Sequence, residues 1–343
     1  MKKPKKILMV NFGGIGDEIL FLPAISSLKK EFPDAEITLA LEPRSKSVKD
    51  LSNLINDVMC VDIKGKGAKH KYWELLKFAM KAREGKFDMV FSSGANQLIP
   101  LLLFSTGIKQ RYGYKSGFLS NLLLTRAVEL NKNQYASFMY HELVTPVTDK
   151  KTLYPEIDAG DIEKEPGSVL IHPGVSKMSV VKNMVKTWSP EIWAELVKKV
   201  LAKSKKVYLI GGPDDKECIE KIVEIIGDTP NFENLYGTTK NIMDLARLTK
   251  RSETLICSDS APMHIGVGVG TRTLALFGPT DEKKLIPDNE KFVAIKNNCD
   301  CRPCLWDKRQ TTCDELKCLK IDLDEVANLS LIHISEPTRL ALI

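Results

Sequence analysis

The chain has 343 residues, 43% apolar and 27% charged, and its 50 basic and 44 acidic side chains leave a net charge of +6. That composition excludes a disordered or low-complexity chain, and at roughly 100–200 residues per domain the length predicts two domains. The modest positive charge suits an anionic small ligand or weak contact with an anionic membrane surface, and it excludes the dense basic footprint of a dedicated nucleic-acid binder.

The apolar run ending at Phe12 predicts a first buried strand; at Ile7–Val10 it is too short for a signal-peptide core, and glycines follow at once. Gly13-Gly14-Ile15-Gly16-Asp17 comes next, then apolar residues at helical spacing through Leu28 and a second strand over Ile37–Leu41. Strand, glycine loop, helix and strand within about 40 residues point to a parallel, doubly wound sheet. Further strands are expected at Cys60–Ile63 and Met89–Phe91, with helices near 71–83 and 96–105. No stretch approaches the ~20 continuous apolar residues of a membrane span, so the chain is expected to be cytoplasmic.

Residues 150–167 are polar and contain Pro155, Gly160, Pro166 and Gly167, and they read as a linker. The pattern then restarts. Strands are expected at Ser168–His172, Val207–Ile210, Thr254–Cys257 and Thr273–Phe277. Helices are expected from Pro190 to Ala202, through about 216–226, near 241–249 and from about Pro262 to Val269. The expected fold is α/β: two Rossmann-like halves, residues 1–155 and 168–328, whose parallel sheets face each other across a cleft with ligands at the carboxyl ends of the strands. The last stretch, residues 330–343, reads as the translation of a sequencing-library adapter rather than as native protein.

Four strand-end segments can carry chemistry. In the first, Gly14 and Gly16 let the backbone approach a ligand, and Asp17 stands where loop becomes helix, either as a helix cap or as a carboxylate placed to accept a proton. The second, Lys177–Trp188, holds Lys177, Lys182 and Lys186, either a solvated loop or partners for phosphate. In the third, Asp259, Ser260 and Ala261 lead into a helix whose first turn carries His264, and free N–H groups there can bind a diphosphate. The fourth is Gly278-Pro279-Thr280.

Taken together, these segments resemble glycosyltransferase family 9, the ADP-heptose:lipopolysaccharide heptosyltransferases. The likeness rests on Gly14-Ile15-Gly16-Asp17-Glu18-Ile19 with Pro23-Ala24, on Lys186-Thr187-Trp188-Ser189-Pro190, on Ser258 to His264 and on Phe277-Gly278-Pro279-Thr280. The resemblance implies a GT-B fold and an inverting, metal-independent transfer of heptose or a related sugar from an ADP-sugar to a lipopolysaccharide core or other lipid-linked glycan. It assigns the N-terminal half to the acceptor and the C-terminal half to the donor. It makes Asp17 the general base and Lys186 a contact of the donor diphosphate. It places Gly14, Gly16, Asp259, Ser260, Ala261, His264 and Thr280 around the donor, and Asp214 or Glu217 near its ribose. It further implies peripheral contact with the cytoplasmic face of the inner membrane and no nucleic-acid partner.

The cluster of Cys299, Cys301, Cys304, Cys313 and Cys318 resembles the cysteine-rich end of many members, and its spacing is compatible with structural zinc, reduced thiols or disulfides. The rival functions are a NAD-dependent oxidoreductase with Glu42 on the ribose, a transferase using a UDP- or GDP-sugar, and a non-catalytic binding protein. The missing G-x-G-x-x-G counts against NAD, and retention of Asp17 counts against binding alone.

Overall fold

The computed structural model describes residues 3–64, 67–175, 186–305, 313 and 315–330. The chain divides into two compact units, Met1–Asp158 and Ala159–Ile343. The basic loop residues Lys177 and Lys182, and residues 331–343, lie outside the described residues.

The first unit runs β1 (Lys6–Val10), α1 (Ile15–Glu31), β2 (Glu36–Leu41), a 3₁₀ segment (Pro43–Leu51), β3 (Asp57–Cys60), α2 (Gly67–Glu84), β4 (Met89–Ser92), α3 (Ile99–Ser105), β5 (Gln110–Tyr114), α4 (Phe118–Leu123), β6 (Arg126–Val128) and α5 (Ala136–Glu142). Its sheet is parallel with order β3-β2-β1-β4-β5-β6. The chain thus reverses direction between β1 and β4, the point at which doubly wound sheets open a crevice. Helices α1 and α5 pack together, while α2, α3 and α4 are neighbours in a second row. Under that row Leu8, Val10 and Val90 of the sheet pack with Phe78, Ala82, Leu103 and Leu124.

The second unit runs β7 (Glu165–His172), α6 (Pro190–Leu201), β8 (Lys206–Leu209), a 3₁₀ turn (Pro213–Asp215), α7 (Lys216–Ile226), β9 (Phe232–Asn234), α8 (Ile242–Arg251), β10 (Ser252–Ser258), α9 (Ala261–Val269), β11 (Arg272–Leu276), α10 (Glu282–Leu285), β12 (Phe292–Ile295) and α11 (Leu323–Leu329). Read outward from β7 the order is the same, β9-β8-β7-β10-β11-β12, again parallel throughout. The last six residues of β7 and all of β11 are buried, as expected for strands covered on both faces. Trp193, Leu196 and Val197 of α6 pack on this sheet in a core that α11 joins through Val326 and Ala327.

Several boundaries differ from the sequence reading. The third strand is Asp57–Cys60, not Cys60–Ile63, because Val58 and Met59 pair with Leu39 and Ala40. Strand β7 begins at Glu165, inside the expected linker. Helix α3 begins at Ile99 with Pro100 in its first turn, a position where the missing N–H costs nothing. Ser330, assigned by sequence to the non-native tail, caps α11, is buried, and accepts a hydrogen bond from Thr254 at 3.3 Å.

Candidate functional site

Both units present their chemistry at the reversal point of the sheet. In the first unit, β1 and β4 end side by side, with Val10 paired to Ser92. Ser93 Oγ donates to Asn11 Oδ1 at 2.6 Å and so ties the two strand-end loops together. Asp17 lies in the first turn of α1, and its Oδ2 accepts the Gly14 N–H at 2.8 Å. It therefore caps its own helix. Glu18, fully buried, accepts the Gly13 N–H at 3.2 Å. Burial pushes its carboxyl well above the usual range, the adjacent Asp17 adds to the rise, and the Gly13 bond opposes it.

The glycines have a local reason. A Cβ on Gly13 would fall 2.3 Å from Asp17 Cβ, which no side chain tolerates. Gly14 is open by comparison, with Asp17 Oδ2 at 3.7 Å and the Arg44 guanidinium at 3.9 Å from its would-be Cβ. Lys64 donates to the Phe12 carbonyl, so two cations flank the tandem carboxylates. Gly16 lies within the first turn of α1.

In the second unit, β7 and β10 end together, with His172 paired to Cys257. Ser258 Oγ is hydrogen-bonded to the Pro173 carbonyl and to Thr187 Oγ1, each at 2.8 Å, and Thr187 is also 2.8 Å from the Trp193 ring N–H. This network fixes Lys186 at the strand ends. Its Nζ lies 3.0 Å from Asp259 Oδ2, an oxygen that also accepts from Thr280 Oγ1 at 2.7 Å. The side chains of Lys186 and Asp259 are 15% and 4% exposed. Ser260 is the N-cap of α9 but makes no side-chain capping bond; its hydroxyl turns to the Ser258 carbonyl at 3.3 Å. Ala261 is the first residue of that helix, and Gly270 ends it in the left-handed conformation that favours glycine. Lys186, Asp259, Ser260, Ala261 and Thr280 are thus brought together, while His264 is buried within α9.

The 3₁₀ turn after β8 carries two adjacent carboxylates in different settings. Asp214 is exposed, and its neighbour Asp215 is the carboxylate turned inward. Asp215 Oδ2 accepts the Gly212 N–H at 2.7 Å and lies 3.7 Å from His172 Nε2. Burial pushes the His172 imidazole below its ordinary range against the pull of Asp215, so the ring is neutral at pH 7. The sequence signal for this pair was the repetition of one pattern, glycine followed three residues later by Asp, at Gly14/Asp17 and Gly212/Asp215.

Of the alternatives for the cysteines, the structure has the reduced one. All eight cysteines are free, and only the Cys299 and Cys301 sulfurs, 3.4 Å apart, are hydrogen-bonded to each other among the described residues. Burial raises the thiols of Cys299, Cys304 and Cys318, the last to about 11. Among the described residues no group of three or more His, Cys, Asp or Glu is arranged to hold a metal ion. The Arg302 side chain, 8% exposed, donates to the carbonyls of Gly278 and Thr280 and ties this segment to the turn that carries Thr280.

The chain matches the family model described as glycosyltransferase family 9 (heptosyltransferase) over residues 75–315. It is 26% identical over 298 residues to lipopolysaccharide heptosyltransferase 3 of Escherichia coli K12, covering 81% of this chain and 84% of the relative. The crystal structure of a family 9 glycosyl transferase from Veillonella parvula matches with a TM-score of 0.75 at 22% identity, over 97% of this chain and 98% of that one. The structure of E. coli ADP-heptose lps heptosyltransferase II matches at 0.70 and 19%, over 95% and 98%. These structural likenesses speak for the fold, the GT-B class of two Rossmann-like units.

Proposed function

The chain belongs to glycosyltransferase family 9, and on that premise we propose that it transfers heptose, or a related sugar, from an ADP-sugar to a lipopolysaccharide core or other lipid-linked glycan with inversion at the anomeric carbon. The acceptor hydroxyl oxygen attacks the anomeric carbon and its proton passes to the Asp17 carboxylate. The bond from that carbon to the diphosphate oxygen breaks, and its electron pair leaves on ADP. Lys186 and the first N–H groups of α9 stabilise the charge that develops there, with Asp259 and Thr280 as the positioning residues for Lys186. The first unit serves the acceptor and the second the donor. The names of the relatives, a lipopolysaccharide heptosyltransferase and an ADP-heptose enzyme, support the two substrates.

The observation that carries this reading is the opposite chemistry of the two strand-end loops: paired carboxylates in one, an ammonium and an uncapped helix start in the other. A base and an anion sink are what a single displacement needs. All the functional groups it uses are side chains and backbone amides of this chain. Peripheral contact with the cytoplasmic face of the inner membrane follows if the acceptor is lipid-linked; among the described residues no helix is long and apolar enough to cross a membrane.

The test is a thermal-shift panel with ADP, UDP, GDP, CDP and NAD, followed by turnover with the ADP-sugar. ADP alone should stabilise the chain. Asp17→Asn should abolish turnover while leaving the ADP shift near that of the parent, since it removes a transition-state role. A shift with UDP or GDP instead would replace the donor, one with NAD alone would replace the reaction, and full turnover by Asp17→Asn would remove the base.

A further inference from the structure

Helix α2 has two apolar faces. Phe78 and Ala82 point into the core, whereas Tyr72, Trp73, Leu76 and Met80 are 65%, 50%, 39% and 55% exposed. At about 100° per residue these four fall on one arc opposite Phe78, with Lys69 and Arg83 at its two ends. The neighbouring helices continue the surface. Leu101 and Phe104 of α3 are about half exposed, and Phe118 and Leu122 of α4 more so. With Leu98 at the start of α3, nine of the eleven large hydrophobic side chains left exposed among the described residues lie on this one row of helices. Scattered surface hydrophobics need no explanation, but such concentration does.

Charge is concentrated in the same place. Residues 67–126 carry ten basic and three acidic side chains of the chain's 50 and 44, so everything outside them carries forty and forty-one. The net positive charge of the protein resides on the segment that bears the exposed apolar residues. Arg111 lies over the Phe104 ring at 5.3 Å, keeping a cation beside an exposed aromatic. A second copy of this face would bring like charges together. Tyr, Trp and Leu interleaved with Lys and Arg on helices lying side by side match an anionic bilayer surface, where rings and aliphatic chains enter the headgroup region and cations pair with lipid phosphates.

We propose that the outer face of α2, α3 and α4 docks the protein on anionic lipid. The inference locates, and rests on, the lipid-linked acceptor of the preceding reading. The experiment is co-sedimentation of the full chain with phosphatidylcholine vesicles, with and without phosphatidylglycerol, at low and high salt. The parent should sediment with phosphatidylglycerol vesicles only, and less so in high salt. Trp73→Ser/Leu76→Ser/Met80→Ser should weaken partitioning by about tenfold or more, and Lys69→Glu/Arg83→Glu on the order of tenfold or more. All five positions are exposed, so each variant should keep the parent's ADP shift and melting temperature. Failure of the parent to sediment, or equal sedimentation by both variants, would overturn the proposal. A concentration-dependent dimer of the parent that the triple variant abolishes would also overturn it, assigning the face to a second copy. Vesicle binding is read without substrate, so a parent that sediments as expected but ignores ADP would defeat the donor reading and sustain this surface.

Discussion

The loops after β1 and after β10 both lie at the reversal point of sheets of identical strand order, one on the strand that precedes the reversal and the other on the strand that follows it, and each leads into a helix. Helix α1 meets its loop with two carboxylates: Asp17 takes the Gly14 N–H and Glu18 takes the Gly13 N–H. The Gly13 and Gly14 amides that could bind a phosphate are already occupied by the protein's own carboxyl groups. Helix α9 begins after Ser260, whose hydroxyl turns away to a carbonyl, and Lys186 is held beside that start by Asp259. The two sides of the reversal point thus carry different chemistry: a loop whose amides are taken by carboxyl groups in one unit, and a helix start with a lysine held beside it in the other. A glycine-rich loop before a helix is therefore no phosphate site by itself. The side chain in the first helical turn decides.

The sharpest way to break this contrast is to remove the cation. Lys186→Ala should lower kcat/KM for the ADP-sugar on the order of 10²–10³ and abolish the ADP-induced rise in melting temperature. The melting temperature without ligand should fall too, because nearly buried Asp259 would keep Thr280 but lose its ammonium. Activity within a few-fold of the parent would mean that the second loop is not the anion sink and that the two loops do not divide the work as proposed.

How much of this division was legible in the sequence depends on the range of the interactions involved. The strand–glycine–helix units, the Pro190 and Pro262 helix starts and the residues Asp17, Lys186 and Asp259 were all visible, since each is written in a local pattern of apolar spacing and capping residues. The Lys186–Asp259–Thr280 constellation was not, because its members are 73 and 21 residues apart and meet only through the pairing of β7, β10 and β11. The burial of Asp215 beside His172 was not legible, because adjacent carboxylates are equivalent on paper and only the 3₁₀ turn exposes Asp214 and buries Asp215. Strands β5 and β6 escaped notice since Gln110–Tyr114 and Arg126–Val128 are short and half polar, and are held as strands by their neighbours rather than by their own composition.

A smaller effect sharpens the contrast at the level of backbone fit. In the second unit a Cβ on Gly174 would fall 2.0 Å from Asp215 Oδ1, and Asp215 is pinned by the Gly212 N–H and by its own burial. In the first unit a Cβ on Gly14 would meet nothing closer than 3.7 Å. Gly174→Ala should therefore cost about 1–3 kcal/mol as an overpacked site, whereas Gly14→Ala should cost less than about 1 kcal/mol, the scale of a cap substitution. Chemical denaturation of the two variants checks this, and equal losses would mean that the Asp215 carboxylate is not held where its hydrogen bond puts it.

The smallest expected effect concerns Glu18, and its readout is a slope rather than a height. Its carboxyl is raised by burial, so the folded state binds the proton more tightly than the unfolded chain. Stability from this group is present at low pH and is lost as pH rises above the ordinary glutamate range toward the folded value, the opposite of a salt-bridged carboxylate. Glu18→Gln keeps an oxygen for the Gly13 N–H and removes the charge that burial penalises. Melting temperature measured from acid to neutral pH should therefore fall less steeply in the variant, which should gain on the parent as pH rises. Parallel curves would mean that Glu18 is solvated enough to ionise freely, and the first loop would then owe its carboxylate character to Asp17 alone. A gain in stability with a loss of turnover would mean more: the buried charge behind Asp17 would be retained at a cost in stability because it keeps the base competent.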